Sequence, residues 1–122
     1  MKIVLIGASN NPEKYGNKIM KDLLNKGHTV IPVNPKEKLI EGVKSHINLG
    51  FIKVDYDIVN FVVPPEVTLQ ILEKYKDKII NKKVWCQPGA SNDEVKTFLE
   101  TNGFKDYITD SCIMIEDIKN IS

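Results

Sequence analysis

Gly7, Ala8, Ser9, Lys14 and Gly16 fall within the single stretch GASNNPEKYG, directly behind the apolar run IVLI. The small residues let a ligand approach the main chain, Ser9 adds a hydroxyl and Lys14 a cation. A helix that opens at Tyr15–Gly16 turns unpaired amides and the positive end of its dipole to the same place, which suits a phosphate. The spacing lacks the second glycine of G-x-G-x-x-G. On spacing alone, such a stretch is equally an ordinary polar connection between strand and helix.

Two further segments narrow the chemistry. After the second apolar run, TVIPV, come Asn34, Pro35 and Lys36. A dinucleotide fold that holds NAD places an acid there for the ribose hydroxyls. A lysine instead fits a ribose that carries a phosphate, as in NADP or coenzyme A with its 3′-phosphate. Lys36 is also readable as a solvated loop lysine, and Glu37 next to it keeps NAD open. After the third run, Val63, Pro64 and Pro65 form an apolar wall suited to a ring or a carbon chain. The helix behind them begins with Glu66, and the one after Asn92 begins with Asp93 and Glu94. Those acids complement the helix dipole and repel phosphate, and prolines remove amide donors. By elimination the first helix is the anion site, with Glu13 as an opposing charge nearby.

The elements that must position these residues follow from periodicity. KIVLIG is continuously apolar, as a strand buried on both faces should be. Ile19, Met20, Leu23 and Leu24 share one helical face over 17–26, and Gly27 ends that helix. HTVIPVNP is the second strand, where Pro32 suggests a bulge or an unpaired position. The stretch 36–55 shows only a turn at Glu41–Gly42 and one short edge strand near 43–47. DIVNFVV is a strand, and Pro64–Pro65 opens a helix bearing Val67, Ile71, Leu72, Tyr75 and Ile79. KVWCQ, an Asn92-capped helix with Val95, Phe98 and Leu99, and FKDYIT follow, and SCIMIEDIKN closes the chain as a short helix or turn. This alternation predicts an α/β fold, a doubly wound parallel sheet of about five strands with helices on both faces. With strand order 3-2-1-4-5, the chain reverses direction between KIVLIG and DIVNFVV. The crevice at the carboxyl ends of those strands is then the ligand site.

Composition sets the outer limits. At 122 residues with a formal net charge of +1, the chain reads as one domain, 1–122, without a basic nucleic-acid footprint. It contains no arginine, so phosphate recognition falls to lysines and backbone amides. The first residues lack the apolar core and cleavage site of a secretory signal, and no apolar run is long enough to span a bilayer. The expected compartment is the cytosol. Cys86 and Cys112 have no paired spacing, and with two histidines elsewhere no zinc motif forms, so no metal is expected.

The segments GASNNPEKYGNKI, VIPVNPK, VNFVVPPE, VWCQPGASND and DSCIMIE, in that order, resemble the small CoA-binding proteins. These are similar to the CoA-binding domain of succinyl-CoA synthetase α subunits and acyl-CoA synthetases. The resemblance covers almost the whole chain. It implies a Rossmann-like fold with coenzyme A or an acyl-CoA across the carboxyl ends of the strands. The contacts it implies are Gly7, Ala8, Ser9, Asn10, Lys14 and Gly16, then Asn34, Pro35 and Lys36, then Val63, Pro64 and Pro65. Amides near Ser9, Asn10 and Gly16 should then hold the pyrophosphate. Lys14 and Lys36 should offset phosphate charge, and Val63–Pro64 should pack on adenine or pantetheine.

No catalytic set is expected. Neither His28 nor His46 stands in a recognisable motif, and the chain is too short for the remaining domains of a ligase. Cys112 is the one reactive candidate, able in principle to pair with a CoA thiol, but a free cysteine is more often a core residue. Gln87 is placed at a strand end without being counted in the site. The expected function is therefore non-catalytic binding of coenzyme A. The alternatives are an NADP-dependent reductase and a detached CoA-binding subunit of an acyl-CoA ligase. The ligand is a small nucleotide, no nucleic acid or membrane partner is expected, and a homodimer is compatible with a domain of this size.

Overall fold

Each long strand alternates two sets of apolar side chains, and the chain covers both sets with helices. The computed structural model describes residues 1–115. Five parallel strands form the main sheet: β1 (Lys2–Ile6), β2 (Thr29–Val33), β5 (Ile58–Phe61), β6 (Lys83–Cys86) and β7 (Tyr107–Ile108), in the order β2-β1-β5-β6-β7. The short strands β3 (Leu39–Ile40) and β4 (Val43–Lys44) pair as a separate antiparallel hairpin. On one face, Val4, Ile6, Val59, Phe61, Val84 and Cys86 pack with side chains of α2 (Pro65–Ile79) and α3 (Asp93–Thr101). On the other, Ile3, Leu5, Ile58 and Trp85 pack with side chains of α1 (Tyr15–Asn25) and with Ile113. Burial on both faces is why the strands read as unbroken apolar runs. The fold is α/β and Rossmann-like.

β1 lies between β2 and β5: the chain runs outward from β1 to β2 and then crosses to the other half at β5, which leaves the switch point between β1 and β5. The third strand of the expected 3-2-1-4-5 order is reduced to one bridge, Val33 to His46, outside β2. There the His46 amide donates to the Pro32 carbonyl and the Asn34 amide to the His46 carbonyl.

Of the two alternatives that the sequence leaves for Pro32, a bulge or an unpaired position, no bulge forms. Pro32 stands in register with Leu5. Its carbonyl faces outward to His46, and its missing N–H lies on that same outer side, where the ladder to β1 does not need it. The unclear stretch 36–55 becomes the β3–β4 hairpin, then the His46 bridge, then a 3₁₀ turn at Leu49–Phe51. At the far end, Ile113–Ile115 forms a 3₁₀ turn, and the rest of SCIMIEDIKN lies outside the described residues. Among the described residues, no helix is long and apolar enough to cross a membrane.

Asn60 interrupts this apolar interior. It lies in β5 between Leu5 and Trp85, fully buried, with neither amide atom bonded within the described structure. An unsatisfied buried polar group costs about 1–3 kcal/mol. Asn60→Leu, of similar shape, should therefore raise the urea midpoint. Leu72→Ala, which empties space beneath α2, should lower stability by about 2–5 kcal/mol. Equilibrium urea unfolding of both variants checks the pair.

Candidate functional site at the carboxyl ends of the strands

Gly7 ends β1 with φ at +97°, a conformation that L side chains rarely adopt. A Cβ on Gly7 would lie 2.6 Å from the Val62 carbonyl oxygen, and one on Gly16 would collide with the Gly7 carbonyl oxygen. The end of β1, the segment after β5 and the start of α1 therefore meet at backbone distance. No side chain fits between them.

The start of α1 differs from the other two described helices. Lys14 occupies its N-cap position, no side chain caps it, and its first turn holds no acid. By contrast, α2 begins with Pro64 and Pro65 and carries Glu66, while α3 is capped by Asn92 and carries Asp93 and Glu94. The Asn17 amide donates to the Lys14 carbonyl, whereas the amides of Tyr15 and Gly16 have no intrahelical acceptor and are met by no acidic side chain of that turn.

Three asparagines hold the loop in front of this helix. Asn34 Nδ2 donates to the Ala8 carbonyl at 2.9 Å, and Asn17 Nδ2 donates to the Ser9 carbonyl at 2.9 Å. In a trans peptide the next N–H points opposite to the carbonyl, so the amides of Ser9 and Asn10 face away from those clamps. Asn10 ties the loop to the hairpin, donating to the Leu39 carbonyl at 2.7 Å and accepting from the Glu41 amide at 3.0 Å. Ser9 Oγ accepts the Asn11 amide, leaving its hydroxyl proton available.

A cavity of about 650 Å³ opens over this loop. Of the residues expected from sequence, Gly7, Ala8, Ser9, Lys14 and Gly16 line it, as do Asn34, Pro35, Val63 and Pro64. Pro65 lines an adjoining cavity of about 470 Å³. Asn10 and Lys36 line neither. Asn10 is spent on the hairpin, and the Lys36 amide bonds the Asn34 side chain while its own side chain is exposed. Tyr15, Val62, Val63 and Pro64 border both cavities.

Sequence reasoning missed several wall residues. Tyr15 is 64% exposed, and Ile71 and Tyr75 of α2 close the large cavity together with Ile47–Leu49 from the edge of the sheet. Asn17 was detectable. A polar residue in helical register with Met20, it is 1% exposed and donates to Glu41 Oε2 at 2.8 Å as well as to Ser9.

The two cysteines occupy opposite environments. Cys86 is fully buried in β6, and burial, with the Asp110 carboxylate adding to it, pushes its thiol up to about 12. Cys112 is only half-buried and lines the smaller cavity, where Gln87 Nε2 donates to its sulfur at 3.2 Å. That corrects the expectation of a core position for Cys112. Neither histidine lines either cavity, and no group of three potential metal ligands occurs among the described residues.

Two outcomes follow for the bench. Because the thiolate is the reactive form, iodoacetamide at mildly alkaline pH should modify Cys112 and spare Cys86 in the folded chain. Peptide mapping by mass spectrometry reads this directly. Asn34→Ala should leave the Ala8 carbonyl without its side-chain partner and cost about 1–3 kcal/mol in thermal unfolding, since a buried acceptor then lacks its bond.

With that geometry fixed, comparison with known proteins is informative. The family model of a CoA binding domain matches residues 1–117. The chain is 36% identical over 77 residues to the alpha subunit of ADP-forming acetate–CoA ligase II of Pyrococcus furiosus, covering 62% of this chain and 17% of that subunit. It is 29% identical to an uncharacterized Bacillus subtilis protein, YneT, covering 93% of this chain and 83% of that one. A solved structure of a conserved hypothetical protein from Pyrococcus furiosus superposes with a TM-score of 0.86 at 47% identity, covering 93% of this chain and 97% of that one. The chain thus spans about a sixth of the ligase subunit and most of the small proteins, and it belongs to the CoA binding domain family.

Proposed function

We propose that the chain, as one domain over residues 1–122, binds coenzyme A or an acyl-CoA without catalysing a reaction of its own. The observation that carries this reading is the start of α1, uncapped and free of acids, set against a loop whose carbonyls are tied back by Asn17 and Asn34. The pyrophosphate sits there, on the amides of Ser9, Asn10 and Gly16, with Lys14 beside it. The apolar wall of Val63, Pro64, Val67 and Ile71 takes the uncharged parts of the ligand. Lys36, exposed one residue beyond Pro35 of the cavity wall, reaches over the rim to the 3′-phosphate.

Among the described residues, the ionisable side chains lining the large cavity are Glu13, Lys14, Tyr15 and Tyr75, with Cys112 in the adjoining one. Neither histidine lines either cavity, which favours binding over acyl transfer through an imidazole–nucleophile pair. A second reading is favoured by the likeness to an acetate–CoA ligase subunit: the chain supplies the CoA site to a partner that carries the remaining chemistry.

Calorimetric titration with CoA, dephospho-CoA, NADP and NAD separates the ligands. CoA should bind, dephospho-CoA more weakly, and Lys36→Ala should narrow the gap between them. Lys14→Ala should weaken both by roughly 10- to 150-fold, as expected when a charge-assisted contact worth roughly 1.5–3 kcal/mol is lost. Tight NADP binding with no heat from CoA would overturn the reading.

A further inference from the structure

The smaller cavity is not needed to hold the phosphates, yet it begins where the larger one ends. Tyr15, Val62, Val63 and Pro64 form the partition between them. Beyond it, Pro65, Pro88, Gly89 and Ala90 complete an apolar wall, with Gln87 and Cys112 as the polar groups at its base. At about 470 Å³ it lies within the size range of small-molecule sites, about 300–1,000 Å³.

Its charge differs from that of the neighbouring space. Among the described residues, no acidic or basic side chain lines it, whereas Glu13 and Lys14 line the larger cavity. The Gln87 amide is already engaged. Gln87, 5% exposed, donates from Nε2 to Cys112 Sγ at 3.2 Å and accepts the Ile113 amide on Oε1 at 2.9 Å. The helix that starts beside it, α2, has prolines in place of free amides and Glu66 in its first turn. Among the described residues that line it, a carboxylate placed here would find no cationic side chain, so burying it would carry an uncompensated cost. A neutral aliphatic group would lose water against proline, valine and alanine.

We infer that this second cavity is an acyl subsite. It receives the thioester end of a CoA thioester whose acyl group is short, uncharged and aliphatic, and it discriminates against dicarboxylic acyl groups. The inference rests on the coenzyme A reading above. The nucleotide lies in the larger cavity, its pantetheine arm crosses the Tyr15/Val62–Pro64 partition, and the acyl carbons lie against Pro88 and Ala90.

Titration calorimetry of the full chain with CoA, acetyl-CoA, butyryl-CoA and succinyl-CoA tests it. Affinity should rise from acetyl-CoA to butyryl-CoA by up to about fourfold per buried methylene, and succinyl-CoA should bind no better than CoA. Cys112→Met, which extends a side chain from the wall into the cavity, should erase the gain for butyryl-CoA while CoA still binds. The unaltered chain decides the acyl preference even if that variant fails to fold. Equal affinities across CoA, acetyl-CoA and butyryl-CoA, or a preference for succinyl-CoA, overturn the acyl subsite and leave the nucleotide site standing. No heat with any CoA compound removes the nucleotide reading and the acyl subsite together.

Discussion

Backbone meets backbone where β1 ends, and the site depends on that contact. The Gly7 carbonyl lies against Gly16 of α1, and the Gly7 α-carbon lies against the Val62 carbonyl. Any side chain at either glycine would push the helix away from the sheet. That would lift the first-turn amides off the floor of the cavity and open the partition that Tyr15 and Val62 share. The close approach fixes the height of α1 over the strand ends, and so the depth of both cavities. Parallel packing with crossovers brings β1 and β5 side by side, and the glycines then allow the third element to enter.

Neutral amides rather than ion pairs hold the loop on this foundation. Asn10, Asn17 and Asn34 together make five hydrogen bonds to the Ala8 and Ser9 carbonyls, the Leu39 carbonyl, the Glu41 amide and the Glu41 carboxylate. A lysine clamp would place a positive charge beside the proposed phosphate site, where it would be drawn to the ligand and release the loop on binding. Amide side chains have no net charge for an anion to redirect, so on the proposed reading the ligand does not draw these clamps away from the loop. They also hold Glu41, whose φ of 48° is unusual for a non-glycine residue, in the tight turn that joins β3 to β4. The hairpin thereby becomes an outer buttress of the loop.

This division explains what could be read from the sequence. The parallel strands were legible because burial on both faces makes them continuously apolar. The contrast among helix starts was legible because caps, acids and prolines act locally. Gly7 and Gly16 were visible by type, though only the three-way packing gives each its reason. The residues 36–55 resisted, since a hairpin of two-residue strands and one isolated bridge leave almost no periodic trace. Lys36 was placed in the site by its charge after the second strand and Asn10 by resemblance, and neither lines the two cavities. Chain position cannot tell a residue that lines a cavity from one that braces it. Tyr15 and Tyr75 were missed for the converse reason, since their role comes from where α1 and α2 converge.

The two cavities then form a gradient along one groove. At the α1 end the groove offers unpaired amides, a lysine and a hydroxyl. At the β6 end it offers proline, glycine, alanine and an amide already satisfied by a thiol and a backbone N–H. A ligand with a charged head and an uncharged tail has one favourable direction in such a groove, because reversing it would bury phosphate without partners and leave apolar surface in water. On the proposed reading, orientation therefore follows from polarity, before any single contact is counted. Coenzyme A has a matching order of groups, from phosphates through a neutral arm to a thiol or acyl end.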